Sequence, residues 1–298
     1  MKQLLILSGK GGTGKTTVAG AFIKLANGKA YADCDVDAPN LHLIMRDLKE
    51  PERKDYYGMD KAVIDQERCS ACGLCEEHCR FHAIDHNPLY RVNPYTCEGC
   101  GVCERLCPEG AITLQPDIAG ELMLYRKDRV FSTAKLKMGS GTSGLLVTEV
   151  KKQLINAVKE EERAEPEFAI IDGSPGIGCP VIASITGVDM TLVVAEPSIS
   201  GISDMKRILD TAKKFNVKTA LCVNKYDTNK KNTLEIEKFC KEHHIHFLGK
   251  IPYDPEAIKA INNIQSITEV ECPSGDAVRR VFEKTMEILL NESEEIDK

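Results

Sequence analysis

Residues 8–17 read Ser-Gly-Lys-Gly-Gly-Thr-Gly-Lys-Thr-Thr and stand between two apolar segments, residues 4–7 and residues 18–23. This order predicts a strand, a glycine-rich loop and a helix. The loop fits the pattern G-x-x-x-x-G-K-[ST], in which glycines allow several backbone N–H groups to face one anion at the helix N-terminus. The alternative is a glycine-rich turn without a ligand, which the flanking strand and helix disfavour.

In this pattern the Lys15 ammonium reaches the β- and γ-phosphates of a nucleotide, and the Thr16 hydroxyl binds Mg²⁺. The predicted nucleotide-binding residues of the loop are Gly9, Lys10, Gly11, Gly12, Thr13, Gly14, Lys15, Thr16 and Thr17.

Length and composition limit the classes of protein that fit the chain. Its 298 residues have room for one large α/β domain and a small second one. A net charge of −6 gives no indication of a nucleic-acid partner. No apolar run approaches the length of a membrane span, and the N-terminus already reads as a core strand, so we expect a cytoplasmic protein without a membrane partner. Thirteen cysteines in such a chain favour thiolate–metal chemistry over disulfides.

Carboxylates follow two further predicted strands. Residues 29–33 form a short strand, after which Asp33, Asp35 and Asp37 alternate with other residues. The apolar run of residues 168–171 ends in Asp172, as in a buried parallel strand whose carboxyl end faces the ligand. Phosphoryl transfer requires positioning and charge stabilisation near the γ-phosphate, so carboxylates are expected there. The alternative for the first group is an acidic loop without a ligand.

Eight cysteines occur in two runs with identical spacing, C-x-x-C-x-x-C-x-x-x-C, offset by 28 residues. This is the bacterial ferredoxin pattern, in which three cysteines of one run and the fourth of the other hold each [4Fe-4S] cluster. Zinc ribbons and disulfides are the alternatives, and zinc sites seldom use the third cysteine of such a run. The pattern predicts one cluster on Cys69, Cys72, Cys75 and Cys107, and a second on Cys79, Cys97, Cys100 and Cys103.

The two runs differ in one respect: Cys107 is followed by the usual proline, but Cys79 is followed by Arg80. Together with nearby histidines, this changes the surroundings predicted for the second cluster. We expect this difference to affect the potential of that cluster rather than its existence.

Lys10, a second lysine inside the loop of residues 9–16, resembles the deviant Walker A motif of the MinD/ParA/nitrogenase-iron-protein superfamily. In that superfamily the early lysine crosses a dimer interface and contacts the nucleotide of the partner subunit. The alternative for the lysine alone is a solvated loop residue. The resemblance implies a nucleotide-dependent dimer, either of two copies or with a paralogue, in which Lys10 acts catalytically with Lys15.

Two other stretches extend this resemblance. Asp33-x-Asp35 resembles the second-strand motif, which implies that Asp33 helps to hold Mg²⁺ through water and that Asp35 orients or deprotonates the attacking water. Asp172-x-x-Pro-Gly resembles a Walker B strand with switch II. By this resemblance Asp172 holds a Mg²⁺-bound water, and the backbone N–H of Gly176 senses the γ-phosphate.

The nucleotide base is predicted to lie near the end of a strand over residues 219–224, which is followed by Lys-x-Asp. Asn224 can hydrogen-bond a purine edge, and the loop containing Pro252 resembles one that closes over the base. The superfamily uses ATP, but Asn-Lys-x-Asp is also similar to a guanine-reading motif, so GTP stays open.

The resemblance implies an α/β protein with a doubly wound, mostly parallel sheet. We expect a P-loop ATPase domain over residues 1–59 and 117–298, interrupted by a small α+β ferredoxin domain over residues 60–116. Residues 135–144 are expected to be a flexible loop, more often a connector than a switch. The acidic residues 292–297 are unsuited to anionic lipid.

Cys179 follows the predicted switch II at an offset where the nitrogenase iron protein has an interface cluster ligand. Residues 108–178 supply no second cysteine, so a buried or switch-region thiol is favoured. The isolated cysteines are expected to be packing residues: Cys34, Cys222, Cys240 and Cys272.

Three functions fit this combination. The first is an ATP-gated electron carrier with ATP, Mg²⁺ and two [4Fe-4S] clusters, acting on a redox partner. The second is a maturation factor that assembles or delivers a metal cluster to a client protein; the absence of a C-terminal C-x-x-C speaks against it. The third is a positioning ATPase like MinD or ParA, which the acidic tail disfavours.

Overall fold

The computed structural model describes residues 1–45, 48–161 and 165–291. The acidic segment 292–297, which the sequence indicates is unsuited to anionic lipid, lies outside the described residues. The described strands are β1 Lys2–Leu7, β2 Ala30–Asp33, β3 Glu52–Tyr57, β4 Lys61–Ile64, β5 Ile84–His86, β6 Tyr90–Val92, β7 Ile112–Gln115, β8 Ile118–Arg126, β9 Val130–Leu136, β10 Phe168–Asp172, β11 Met190–Ala195, β12 Lys218–Asn224 and β13 His246–Ile251. The described helices are α1 Lys15–Leu25, α2 Leu41–Ile44, α3 Leu74–Glu77, α4 Val102–Leu106, α5 Ser143–Glu160, α6 Cys179–Ile185, α7 Ile199–Lys214, α8 Lys230–Glu242, α9 Pro255–Asn262 and α10 Pro273–Leu290.

A large sheet organises the described chain, with strand order β13-β12-β11-β1-β10-β2-β9-β8-β3. Strand β1 pairs in parallel with β10 on one side and with β11 on the other, and β2, β9, β12 and β13 extend the parallel arrangement. The prediction of a mostly parallel α/β sheet is therefore confirmed.

The central strands are mostly apolar and deeply buried, as is usual for a parallel sheet covered on both faces. All six residues of β11 are buried, as are Leu4 to Leu7 of β1. Helix α1 contributes Phe22, whose ring meets that of Phe282 on α10 edge-on, with centroids 5.1 Å apart. This contact packs α1, the helix that follows the glycine-rich loop, against α10.

Helix α10 starts at Pro273. The Cys272 thiol caps it by accepting a hydrogen bond from the Gly275 N–H at 3.4 Å, and proline suits the first helical position. Proline at the first helical position is a sequence signal for this start, whereas a cysteine at the N-cap is unusual. Cys34, Cys222, Cys240 and Cys272 are all buried, as expected.

The chain divides into two compact units. The first comprises residues 1–52, 123–134 and 144–298, and the second comprises residues 53–122 and 135–143. The predicted insert, residues 60–116, falls inside the second unit, and its boundaries stay a prediction. In the second unit β4 pairs with β7 and β5 with β6, both antiparallel, and α3 and α4 accompany them.

None of the helices in the described ranges combines the length and the apolar character that a membrane span requires.

Candidate functional site

The glycine-rich loop leads into α1, as the sequence predicted. Gly14 stands at the N-cap with φ +92°, and a Cβ at this position would collide with the side-chain amide nitrogen of Asn224. The Asn224 amide donates to the Thr13 carbonyl at 2.7 Å. Only glycine therefore fits position 14, where the backbone is left-handed and a second loop approaches closely.

Asp33 and Asp172 come together at the carboxyl ends of two neighbouring parallel strands. Strands β2 and β10 pair with Asp33 directly beside Asp172, and both side chains are fully buried. Lys15, only 5% exposed, forms a short ion pair with Oδ1 of Asp172. The Oδ2 atom of Asp172 is buried and has no hydrogen-bond partner among the described residues. A buried carboxylate oxygen without a partner is costly, and a cation or its bound water would satisfy it.

The Asp33 carboxylate organises the loop that follows β2. Its Oδ1 accepts a hydrogen bond from the Asp35 N–H at 3.0 Å, and its Oδ2 accepts from Asn40 and Leu41 at 3.0 and 2.9 Å. Burial, followed by the neighbouring Asp172 carboxylate, raises the pKa of Asp33 to about 7. The pair is thus rich in acceptors and poor in solvation, which suits a bound cation.

Asp35 is half-buried two residues further on, and burial raises the pKa of its carboxyl. Between the two aspartates, Cys34 is fully buried, and this burial raises the pKa of its thiol to about 12. The Ser174 hydroxyl donates to the Cys34 carbonyl and so ties the loop after β10 to the loop after β2.

Lys10 points towards the segment that follows β11. Its Nζ lies 3.3 Å from Oε2 of Glu196 and 3.2 Å from the Ser198 hydroxyl. The side chain is 36% exposed, so within one chain the lysine is held at the surface beside the loop. Its predicted role across a dimer stays a prediction.

The segment after Asp172 lies against the glycine-rich loop. The Gly176 N–H, predicted to sense a γ-phosphate, donates to the Ser8 carbonyl at 3.1 Å, and the residue has φ +98°. Cys179 starts α6 and is exposed, so the alternative of a buried thiol is wrong and the switch-region position remains. A Cβ on Gly144 would lie 3.2 Å from Cys179 Cβ, which places the start of α5 beside this segment.

The predicted base-binding residues also converge on the loop. Lys225 donates from Nζ to the Gly12 carbonyl at 3.0 Å. The Asp227 carboxylate accepts from the Tyr253 N–H at 2.8 Å, which holds the Pro252 loop against the end of β12. In this conformation the Asn224 amide donates its hydrogen bond to the Thr13 carbonyl, so its contact with a purine stays a prediction.

Lys151 is a residue that sequence reasoning missed. It is buried on α5, and its Nζ donates to the carbonyls of Ser184 and Thr186 at 2.8 and 2.5 Å, at the end of α6. Burial lowers the pKa of this lysine. The available signal was its position on the apolar face of α5, four residues after Val147 and three before Leu154.

The eight cysteines of the second unit line two cavities, four in each. The two cavities are similar in size. The first is lined by Cys79, Cys97, Cys100 and Cys103, and the second by Cys69, Cys72, Cys75 and Cys107. The remaining lining is mostly apolar. Each cavity therefore brings together three cysteines of one run and the fourth of the other.

The two halves repeat in three dimensions with the same 28-residue offset. The Ala83 N–H donates to Cys79 Sγ at 3.3 Å, and the Ala111 N–H donates to Cys107 Sγ at the same distance. Left-handed backbone also recurs at three pairs of equivalent positions. These are Ala71 and Gly99, Gly73 and Gly101, and His82 and Gly110.

The first half adopts the conformation of the second even where it lacks glycine. Ala71 has φ +57° and His82 has φ +48°, although left-handed backbone costs such residues roughly 1–2 kcal/mol. These conformations persist only where the surrounding structure dictates them.

All these thiols are free, without disulfides. Among the described residues no group of three or more histidine, cysteine, aspartate or glutamate side chains is placed to hold a metal ion. The cysteines surround open space instead of converging on one point. Burial raises the pKa of Cys75 and of Cys103, which occupy equivalent positions in the two runs.

The sheet and the glycine-rich loop with its paired carboxylates define a P-loop ATPase of the MinD/ParA type. The sequence model of the CobQ/CobB/MinD/ParA nucleotide binding domain matches residues 4–267, and the chain belongs to this family.

Particular relatives agree with this assignment. An uncharacterized protein of Methanocaldococcus jannaschii is 29% identical over 292 residues, covering 96% of this chain and 97% of the relative. An iron-sulfur cluster carrier protein of Pyrococcus horikoshii is 24% identical over 99% of this chain and 87% of its own length. Among solved structures, an ATP complex of Cyanothece McdA aligns with a TM-score of 0.58 at 17% identity, covering 99% of this chain and 98% of that one.

Proposed function

We propose that this protein binds and hydrolyses Mg-ATP and couples its nucleotide state to electron transfer through two [4Fe-4S] clusters. The observation that carries the proposal is the division of eight cysteines into two cavities of four, in a chain of an ATPase family. Neither a disulfide framework nor a packing role accounts for eight free thiols around two spaces.

The nucleotide side of the proposal rests on Lys15, Thr16 and the two buried aspartates. Asp172 and Asp33 fit a Mg²⁺ ion because one oxygen of Asp172 is buried without a partner and both carboxylates are poorly solvated. When bound, Mg²⁺ would supply positive charge at the phosphate oxygens. Lys15 would then exchange Asp172 for the phosphates.

Asp35 is proposed to position the attacking water, because it is half-buried beside the paired carboxylates and is not consumed by an ion pair. The Gly176 N–H would exchange the Ser8 carbonyl for the γ-phosphate. That exchange would move the segment leading to Cys179, so the nucleotide state would be expressed in the position of α6.

Lys10 is proposed to act across a nucleotide-dependent dimer. In the single chain its ammonium is shared between Glu196 and Ser198, both half-buried and within 3.3 Å. A partly exposed ion pair of this kind contributes about 1 kcal/mol, so it can be exchanged for a phosphate of a partner subunit. We propose that the nucleotide is ATP and not GTP.

The cluster side is supported by the chemistry of the two cavities. Each offers four thiols, an apolar wall and one backbone N–H directed at a cysteine sulfur. When bound, the clusters would supply one-electron carriers whose potentials depend on hydrogen bonds and solvent exposure. The residues proposed as ligands are Cys69, Cys72, Cys75 and Cys107 for one cluster, and Cys79, Cys97, Cys100 and Cys103 for the other.

The test is anaerobic reconstitution with iron and sulfide, followed by electron paramagnetic resonance of the dithionite-reduced protein with and without Mg-ATP. We expect two [4Fe-4S]⁺ signals whose shape or midpoint potential changes with nucleotide. The Lys15→Ala variant should retain both signals and lose the nucleotide effect. Signals that ignore nucleotide in the wild-type protein contradict the coupling, and the absence of clusters contradicts the iron–sulfur assignment.

A second candidate, delivery of a cluster to a client protein, is favoured by the Pyrococcus horikoshii relative, which is named an iron-sulfur cluster carrier protein. Four cysteines from two runs around each cavity favour stable clusters over transferable ones. Incubation of the reconstituted protein with an apo-ferredoxin under ATP turnover separates the two functions. Transfer of both iron and sulfide to the acceptor would support delivery, and retention would support electron transfer.

A further inference from the structure

The two cysteine cavities match at most positions related by the 28-residue offset, but the strand pair beside each cavity differs. Strands β4 and β7 place Ala62 opposite Leu114. The equivalent strands β6 and β5 place Tyr90 opposite His86. One cavity therefore has alanine and leucine at positions where the other half has tyrosine and histidine.

Tyr90 is 9% exposed and lines the cavity of Cys69, Cys72, Cys75 and Cys107. Its ring stacks on His86 with centroids 4.4 Å apart, and its backbone carbonyl accepts a hydrogen bond from the Gln66 amide at 2.8 Å. These contacts fix the direction of the ring.

The Tyr90 hydroxyl extends over the cysteine run. A Cβ built on Gly73, the residue after Cys72, would lie 3.1 Å from the Tyr90 oxygen. Among the described residues this hydroxyl has no hydrogen-bond partner, and it is not enclosed, so water is its competitor for an acceptor in the cavity. A phenol keeps its proton at neutral pH and is both a donor and an acceptor. An unpaired donor is thus held at the wall of one cavity.

Among the described residues, the side chains that line the other cavity include no hydroxyl. Ala62 and Leu114 line this cavity where the strands pass, and Glu98, its polar side chain, is an acceptor when ionised. Lys61 lies nearby, and its ammonium donates to the backbone carbonyl of Cys97. Glu98 is exposed, as are Arg80 and His82 beside Cys79, so water screens these charges. Each half has one backbone N–H that donates to a cysteine sulfur at 3.3 Å. These two hydrogen bonds are equivalent, so they do not contribute to a difference in potential between the clusters.

We infer that Tyr90 tunes one cluster: its hydroxyl donates a hydrogen bond to the cluster on Cys69, Cys72, Cys75 and Cys107 and raises the potential of that cluster alone. The inference rests on the proposed function, because it requires both clusters. It makes Tyr90 a residue that sets which of the two centres holds an electron first.

The physical reason is the charge added on reduction. One electron from the external reductant enters the cluster and makes it more negative, while the phenol keeps its proton. A hydrogen-bond donor stabilises the more negative state and so favours reduction. The cluster without this donor lacks that stabilisation.

The experiment is a redox titration of the reconstituted, full-length Tyr90→Phe variant, followed by electron paramagnetic resonance. Phenylalanine keeps the ring and its stacking on His86 and removes only the hydroxyl, so the fold is retained. Tyr95→Phe is the matched control, because Tyr95 is 65% exposed, in the same unit, and lines neither cavity. We expect Tyr90→Phe to lower one of two midpoint potentials, and Tyr95→Phe to change neither.

A second variant assigns the centre that moves. Cys100→Ser alters a proposed ligand of the other cavity and should change the signal that Tyr90→Phe leaves unchanged. Three results would overturn the inference and leave the proposed function intact. The first is an equal shift of both midpoint potentials, the second is no shift, and the third is a shift of the signal that Cys100→Ser alters. Failure of the wild-type protein to take up two clusters overturns the proposed function, and this inference with it.

Discussion

The cores of the two compact units are built from different kinds of side chain. The core of the first unit is built from aliphatic and aromatic side chains, among them Leu4, Phe22 and Ile170, all fully buried. The core of the second unit includes Cys75 and Cys97 beside Ile84 and Ile112, with further cysteines packed against it. Thus the same residues that line the cavities of the second unit also form its core. In the first unit, only a few buried charged groups belong to the site.

If the second unit binds the two proposed clusters, this difference predicts that cluster binding and folding are coupled there, whereas nucleotide binding and folding are largely separate in the first unit. A single core in so small a unit rarely supplies more than about 3–5 kcal/mol, so bound clusters would supply much of its stability. The core of the first unit consists of apolar side chains, and the predicted nucleotide-binding residues are not among them.

The largest expected effect follows from this contrast. Removal of iron by an anaerobic chelator should abolish amide-exchange protection in β4–β7 and β5–β6, because the core around these strands loses the clusters that its cysteines bind. Protection in β1, β10 and β11 should not change. Hydrogen exchange with mass spectrometry, before and after chelation, measures both. Equal loss of protection in both units would break the comparison.

The buried charges of the first unit provide the second test. Lys15→Met should prevent nucleotide binding and lower the free energy of unfolding of the nucleotide-free protein by about 3–5 kcal/mol, because it leaves Asp172 buried without its cation. Urea unfolding, together with nucleotide titration, measures these effects. Lys24→Met is the control, because Lys24 lies on the same helix as Lys15 and forms a largely exposed ion pair with Glu269. For this variant a cost of about 0–1 kcal/mol is expected.

Lys151 tests whether the segment near the switch depends on a buried hydrogen bond. Lys151→Met should cost about 1–3 kcal/mol, because the carbonyls of Ser184 and Thr186 lose their donor. Amide hydrogen exchange should accelerate in α6 at a lower denaturant concentration than in the strands of the sheet. Lys152→Met, which breaks an exposed pair with Glu149, should leave α6 unchanged. A similar effect of the two substitutions would assign the cost to the loss of charge alone.

The smallest effect concerns the start of α9. Burial alone would raise the pKa of Asp254, but hydrogen bonds from the Ser274 and Glu256 N–H groups outweigh it and hold the pKa below its usual range. The stabilisation is complete above the unfolded pKa of about 3.9 and is lost as the pH falls through the lower folded pKa.

The Asp254→Asn variant keeps a capping side chain but loses the negative charge at the helix N-terminus, so it should reduce stability by about 0.3–1 kcal/mol at pH 7 and remove this acid dependence. Thermal unfolding between neutral pH and pH 3 measures it. Glu256→Gln serves as the control, since Glu256 pairs only with Lys259 at the surface. An unchanged acid slope in Asp254→Asn would mean that other carboxyls dominate.

Local patterns predicted a large part of this molecule. The glycine-rich loop, the apolar strands and the two cysteine runs depend on residues at fixed short spacings, so their consequences could be derived from the sequence alone. The interpretation of Cys179 was in part wrong, since the sequence favoured a buried or switch-region thiol and the residue is exposed. Burial at the start of a short helix depends on neighbours that the chain brings from elsewhere.

The sequence by itself determined the fold class, the family and the grouping of cysteines, because backbone geometry and motif spacing are local properties. The tertiary structure decided which distant groups meet. It paired Asp33 with Asp172 through the register of β2 and β10, placed Lys151 at the end of α6, and set Tyr90 over one of two otherwise matched cavities. These contacts join residues separated by tens to more than a hundred positions, and only packing of the complete sheet and of the cysteine unit fixes them.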